Sequence, residues 1–230
     1  NTGFPIVDLD KETLDAFEAG VKSSLFDNTL ELNAAIFYYI WNDQQLFDVN
    51  PLTGPTFLNV KESELTGIEL EFRWARGNGW YLQGGLGVLD TEITDQGSDP
   101  DGGGPDDLIK LGHELPNAPK FSANLVVSKE LSIGGGLLVL QADVEYRDES
   151  KTAQTTRAIT DTYNSYTSVG VRADFSFGDS EQYQISLFGQ NLGEEEVCNY
   201  KLDVSAFSGT GYCSPNESEA VYGASAGLKF

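Results

Sequence analysis

Thr29-Leu30-Glu31-Leu32-Asn33-Ala34-Ala35-Ile36-Phe37-Tyr38-Tyr39-Ile40-Trp41 alternates in character from one residue to the next. Successive side chains of a β-strand point to opposite faces. With that period, one face carries Leu30, Leu32, Ala34, Ile36, Tyr38 and Ile40, and the other Glu31, Asn33, Ala35, Phe37, Tyr39 and Trp41. The pattern recurs. Ile68, Leu70, Phe72 and Trp74 oppose Gly67, Glu69, Glu71 and Arg73. Leu138, Leu140, Ala142, Val144 and Tyr146 oppose Gln141, Asp143, Glu145 and Arg147. Val169, Val171, Ala173, Phe175 and Phe177 oppose Ser168, Gly170, Arg172, Asp174 and Ser176. Fainter versions over about 12–24, 80–91, 119–130, 182–192 and 219–230 bring the total to nine candidate strands. Most approach the roughly 9–11 residues that a tilted strand needs to cross a bilayer.

The links between these strands alternate as well. Leu25–Asn28, Ala75–Gly79, Ser132–Gly136 and Gly178–Glu181 are tight and carry turn residues such as Asp27-Asn28 and Arg76-Gly77-Asn78-Gly79. The intervening links, about 42–61, 92–118, 148–162 and 193–218, are long and polar. Short turns at one end and long loops at the other are the layout of a transmembrane barrel, with turns periplasmic and loops extracellular. The expected fold is therefore all-β: an antiparallel up-and-down transmembrane barrel portion.

Composition agrees. No run approaches the roughly 18 consecutive apolar residues of a spanning helix. The chain has 230 residues, with 36 Asp+Glu against 14 Lys+Arg for a net charge of −22. No basic stripe exists to neutralise phosphates, which argues against nucleic acid as a partner. Cys198 and Cys213 lie close in sequence, and a compartment that oxidises thiols would join them. With the long loops outside, the lipid-facing residues at the periplasmic strand ends are Trp74, Trp80, Phe177, Tyr183 and Phe230, and at the outer ends Tyr38, Tyr146, Tyr163 and Tyr222. Amphipathic rings are stable at headgroup level, so these form the expected aromatic girdles.

No catalytic set emerges, and no cofactor or resident metal is expected. His113 is the only histidine, placed in a solvated loop, with no second histidine to share a metal. Ser98-Asp99-Pro100-Asp101-Gly102-Gly103-Gly104-Pro105-Asp106-Asp107 could offer carboxylates to Ca²⁺ but lacks the spacing of a calcium loop. Phe37, Tyr39 and Trp41 stand on the lumenal face near the barrel mouth. Two roles are open to them: contact with an entering small-molecule ligand, or packing against loops or a plug.

Several motifs resemble TonB-dependent outer-membrane receptors. Glu12-Thr13-Leu14-Asp15-Ala16-Phe17-Glu18-Ala19-Gly20-Val21-Lys22-Ser23 is similar to the family's strand with recurring glutamate, glycine and lysine before a short turn. Leu65-Thr66-Gly67-Ile68-Glu69-Leu70-Glu71 resembles its glycine–hydrophobe–glutamate strand, and Gly189-Gln190-Asn191-Leu192 its Asn-Leu motif. Leu228-Lys229-Phe230 resembles the terminal signal read by the barrel-assembly machinery.

The resemblance covers the chain in order and implies a place in the bacterial outer membrane. It further implies that residues 1–230 are the C-terminal part of a barrel of about 22 strands. The plug domain, TonB box and first barrel strands would then lie outside this chain. The implied function is uptake of a scarce nutrient, foremost a ferric siderophore, energised through TonB acting on the plug. A passive porin-like barrel and a soluble acidic β-sandwich binding module are the alternatives.

Overall fold

The computed structural model describes residues 8–50, 54–97, 111–152, 162–203 and 211–229. Among them, nine strands form one antiparallel sheet. In sheet order these are β1 (Thr13–Leu25), β2 (Leu30–Asn50), β3 (Gly54–Arg76), β4 (Trp80–Asp95), β5 (Phe121–Ile133), β6 (Gly136–Arg147), β9 (Tyr166–Phe177), β10 (Tyr183–Gln190) and β13 (Val221–Leu228). Two small ribbons, β7 (Ser150–Lys151) with β8 (Thr162–Tyr163) and β11 (Val197–Asp203) with β12 (Gly211–Glu217), sit in the outer connections. Each sheet strand pairs with the next spanning strand in the chain, as an up-and-down meander requires. Phe230 lies outside the described residues, as does the 98–107 stretch.

The register fixes which side chains share a face. One hydrogen-bonded row runs Leu25, Leu30, Trp74, Leu82, Val127, Ala142, Val171, Gly189, Tyr222. It starts at the turn end of β1 and finishes at the loop end of β13, so the strands are staggered in one direction, as in a tilted barrel wall. This face is the apolar one and it is open: Ile36, Ile68, Val88, Leu140, Val171 and Leu187 are all exposed. The buried hydrophobic residues Leu58, Val60, Ile93, Leu115 and Val197 all lie in the outer connections or the strand ends that feed them. A soluble sandwich would bury the opposite set, whereas a wall facing lipid needs this one. On β3, the outward face from Thr66 to Arg76 extends about 33 Å along the strand, or about 25 Å in height at a tilt near 40°.

The tight turns behave as their sequences predict. Asp27 and Asn28 have φ of 54° and 65°, a conformation these residues tolerate, and Thr29 N donates to Phe26 O at 3.1 Å. The outer connections differ from expectation. Segment 42–61 reads as a loop, yet β2 continues to Asn50 and β3 begins at Gly54. Asp43 interrupts the ladder with φ 52°, and pairing resumes from Gln44↔Val60 to Asn50↔Gly54 without a change of register. Above the bilayer no lipid-facing side is needed, so the long alternation of the spanning strands stops while the backbone ladder goes on. β4 likewise extends to Asp95, and 193–218 contains the β11–β12 ribbon.

Candidate functional site

The inward face of the sheet is the candidate site, and its rows follow from the register. Near the middle lie Gly20, Ala35, Glu69, Gly87, Ser122 and Arg147; one step towards the turns lie Lys22, Asn33, Glu71, Gly85, Asn124 and Glu145. Glycines Gly85 and Gly87 leave no side chain between the carboxylates of β3 and the polar residues of β5. The result is a hollow of about 350 Å³ bordered by Glu69, Glu71, Ser122, Asn124, Glu145 and Arg147. A second hollow of about 560 Å³ opens beside Glu18, Lys22, Asn33 and Ala35 and shares Glu69 and Glu71. Carboxylates predominate along this wall.

Part of the wall is tied internally. Arg172 grips Asp174 with two hydrogen bonds of 2.6 and 2.7 Å, and the buried Ser186 hydroxyl donates to the same carboxylate. Bidentate, charge-assisted geometry of this kind is strong and directional. Tyr166 donates to Glu145 at 2.9 Å, and Arg73 stands 3.8 Å from Glu31. Glu69 and Glu71 face the hollow with no ion pair among the described residues. No described cluster of histidine, cysteine, aspartate and glutamate has the makings of a metal site.

Phe37, Tyr39 and Trp41 share the inward face but separate in role. The Phe37 ring covers Gly67 on β3, where a Cβ would overlap it, and it stacks on Tyr39 with centroids 4.9 Å apart. The Tyr39 hydroxyl donates to Glu18. Trp41 packs instead against a small core formed by Leu58, Val60, Ile93 and Leu115 at the base of the outer loops. Phe188 covers Gly223 in the manner of Phe37 on Gly67. This pairing, and the Tyr166–Glu145 bond, depend on cross-strand register, which a single strand's alternation does not disclose.

On the outward face the aromatic residues gather at two levels. Towards the turns, Phe175, Phe177 and Tyr183 stack in series with 5.3 Å between centroids, and Lys129 Nζ lies 5.2 Å from the Trp80 ring. Trp74 is half-buried one row above Trp80. Towards the loops, Phe17 stacks with Tyr38, Phe121 tilts against Tyr146, and Tyr222 is exposed. Tyr163 departs from the expected girdle, since it lies in the β7–β8 ribbon outside the nine-stranded sheet. The sequence places it before the strand that begins at Tyr166, and the ribbon intervenes.

In the outer connections, Lys61 pairs with Asp43 at 3.0 Å and Lys120 with Glu114 at 2.7 Å. Each carboxylate, by accepting a hydrogen bond from the ammonium, raises that lysine above its ordinary range. His113 is half-buried rather than solvated: its carbonyl accepts from Ile93 N at 2.9 Å, which ties the segment to β4. Its Nδ1 is buried with no described hydrogen-bond partner. Cys198 is disulfide-bonded, and Cys213 lies on the facing strand β12, opposite Lys201.

Comparison with known proteins gives this wall its context. The model of the TonB dependent receptor-like β-barrel family matches residues 1–192. A probable TonB-dependent siderophore receptor, PiuA of Acinetobacter baumannii, is 33% identical over 149 residues, covering 63% of this chain and 19% of PiuA. The pesticin receptor of Yersinia pestis is 25% identical over 190 residues, or 80% of this chain and 25% of that protein. The chain thus spans a quarter or less of the length of these curated relatives. Among solved structures, the ferric yersiniabactin uptake receptor FyuA of Y. pestis superposes with a TM-score of 0.75 at 19% identity, covering 95% of this chain and 30% of that one. Apolar outward face, polar inward face, staggered meander and matched family model agree: the chain belongs to the TonB-dependent receptor β-barrel family of the bacterial outer membrane.

Proposed function

We propose that this chain is the C-terminal part of the barrel wall of a receptor that imports a ferric siderophore, with energy delivered by TonB through a plug domain. The observation that carries this reading is the inward face: a polar wall in which Glu69 and Glu71 border glycine-floored hollows with no ion pair among the described residues, suited to holding a polar plug rather than a dry core. Similarity to a probable siderophore receptor over 63% of the chain supports the substrate class. The staggered nine-stranded sheet corresponds to the final nine strands of a barrel of about 22. Its two edge strands, β1 and β13, would pair with the remaining strands, because unpaired backbone groups are costly in lipid.

On this reading Phe37 and Tyr39 line the path of the ligand below the mouth, with Trp41 bracing the loops above them. Cys198 and Cys213 join to fasten the β11–β12 ribbon, Phe230 forms the terminal assembly signal, and the girdle rings sit at the lipid headgroups. The test is uptake of radio-iron carried by a panel of siderophores, in the iron-limited host with and without this gene. Loss of uptake for one siderophore, repeated when TonB is removed, is the expected result. Uptake that persists without TonB would point to passive diffusion and overturn the proposal.

A further inference from the structure

On the turn side of the row that holds Thr66 and Asp90, the lipid-facing residues of the sheet are uncharged except at one place. Arg76, Trp80 and Lys129 are consecutive partners in one row, at the turn end of β3 and β4 and where β5 runs past that turn towards Ile133. By alternation all three point outward with Trp74 and Leu82. Arg76 is exposed, Trp80 is 41% exposed, and neither cation has a carboxylate partner among the described residues. That is unexpected in a chain with 36 Asp+Glu and only 14 Lys+Arg, where acidic neighbours are plentiful.

The geometry is also held. Lys129 Nζ donates to Asn78 O at 2.5 Å and lies 5.2 Å from the Trp80 ring centroid, so its stem snorkels along the indole to the turn. The turn is fixed to β5 by Glu130 N donating to Gly79 O at 2.8 Å. A Cβ on Gly79 would approach Glu130 O to 2.7 Å, and Gly79 has φ 81°, so both space and conformation select glycine there. An ammonium has three donors. One is spent on Asn78, which leaves others free, and Arg76 stands on the other side of Trp80 in the same row.

We propose that Arg76, Trp80 and Lys129 form a binding site for an anionic phospholipid of the periplasmic leaflet. The lipid phosphodiester sits between the two cations, and its glycerol and upper acyl chain lie on the exposed indole. Phosphatidylglycerol is the occupant to which the charge pattern commits. The outward faces nearer the loops carry Asp15, Glu64, Asp90 and Glu92 instead, so the attraction is confined to the inner leaflet.

The full protein, reconstituted in phosphatidylcholine vesicles, tests this with brominated lipid, which quenches nearby indoles. Quenching attributable to Trp80, the difference between the protein and Trp80→Phe, should reach half its maximum at a brominated phosphatidylglycerol fraction on the order of tenfold lower than for brominated phosphatidylcholine. The Arg76→Gln/Lys129→Gln double variant should lose the preference, while Lys22→Gln on the lumenal face keeps it and Arg76→Lys retains most of it. Equal Trp80 quenching by both lipids, or a preference that survives in the double variant, would overturn the site. Trp74, on the same face, reports insertion: quenched Trp74 without a Trp80 preference would sink the lipid site alone, whereas unquenched Trp74 would sink the membrane placement as well.

Discussion

Phe37 occupies the space that a side chain on Gly67 would need. Gly67→Ala therefore forces the ring off its seat, and overpacking of this kind costs about 1–3 kcal/mol. Denaturant unfolding in vesicles should show that loss, and Phe37→Leu added to Gly67→Ala should recover part of it. A simple sum of the two single effects would disprove the seat. Lys120 carries the pH-dependent effect at this scale. Glu114 raises its ammonium above the ordinary range. A cation with a raised folded-state pKa stabilises fully below the unfolded lysine value of about 10.4, and the effect fades as pH climbs through the higher folded value. NMR titration of methyl-labelled lysines should place Lys120 above a free lysine, and Glu114→Gln should bring it back. The pair is exposed, so its effect on overall stability is small.

Among the elements, the β2–β3 hairpin shows where sequence pattern ceases to report structure. From Leu30 to Ile40, and from Ile68 to Trp74, lipid on one side and a wet lumen on the other impose strict alternation, and the strands are legible. Beyond Trp41 the bilayer no longer imposes an apolar face along the strand, so 42–61 reads as loop although the hairpin's backbone ladder continues. Its rigidity comes from the core of Leu58, Val60, Ile93 and Leu115, residues distant in sequence whose meeting no local pattern foretells. Ile93 is fully buried, and Ile93→Ala should cost about 2–5 kcal/mol locally. The expected sign is faster cleavage of the outer hairpin by added protease, with unchanged heat resistance of the spanning strands. Trp41 is part of the same lesson: alternation places it correctly on the inward face, but only the loop core explains what it touches. Tyr163 is missed for the reverse reason, since a two-residue ribbon is too short to leave a periodic trace.

For the whole molecule, the decisive property is that the apolar face is the outside. Ile68 and Glu69 are neighbours on β3 and should respond oppositely to the same change. Ile68→Arg places a charge towards the bilayer, where the penalty is about 2–4 kcal/mol near the midplane. Glu69→Arg faces the hollow and should be nearly neutral for assembly. Heat-modifiability on gels measures both, and equal penalties would refute the assignment of faces. Chain direction, strand number and the lipid face were readable because the bilayer writes them into composition. The floor of the lumen was not, because Gly85 and Gly87 acquire their meaning only when β3 and β5 are set on either side.

The seats of Phe37 on Gly67 and Phe188 on Gly223 also bear on how such a wall changes over generations. Each ring and its glycine come from different strands, yet neither tolerates exchange alone: a larger residue below collides with the ring, and a smaller one above leaves bare backbone facing the lumen. An exchange at one member therefore calls for a matching exchange at the other, so that each couple acts as a single unit split across two strands.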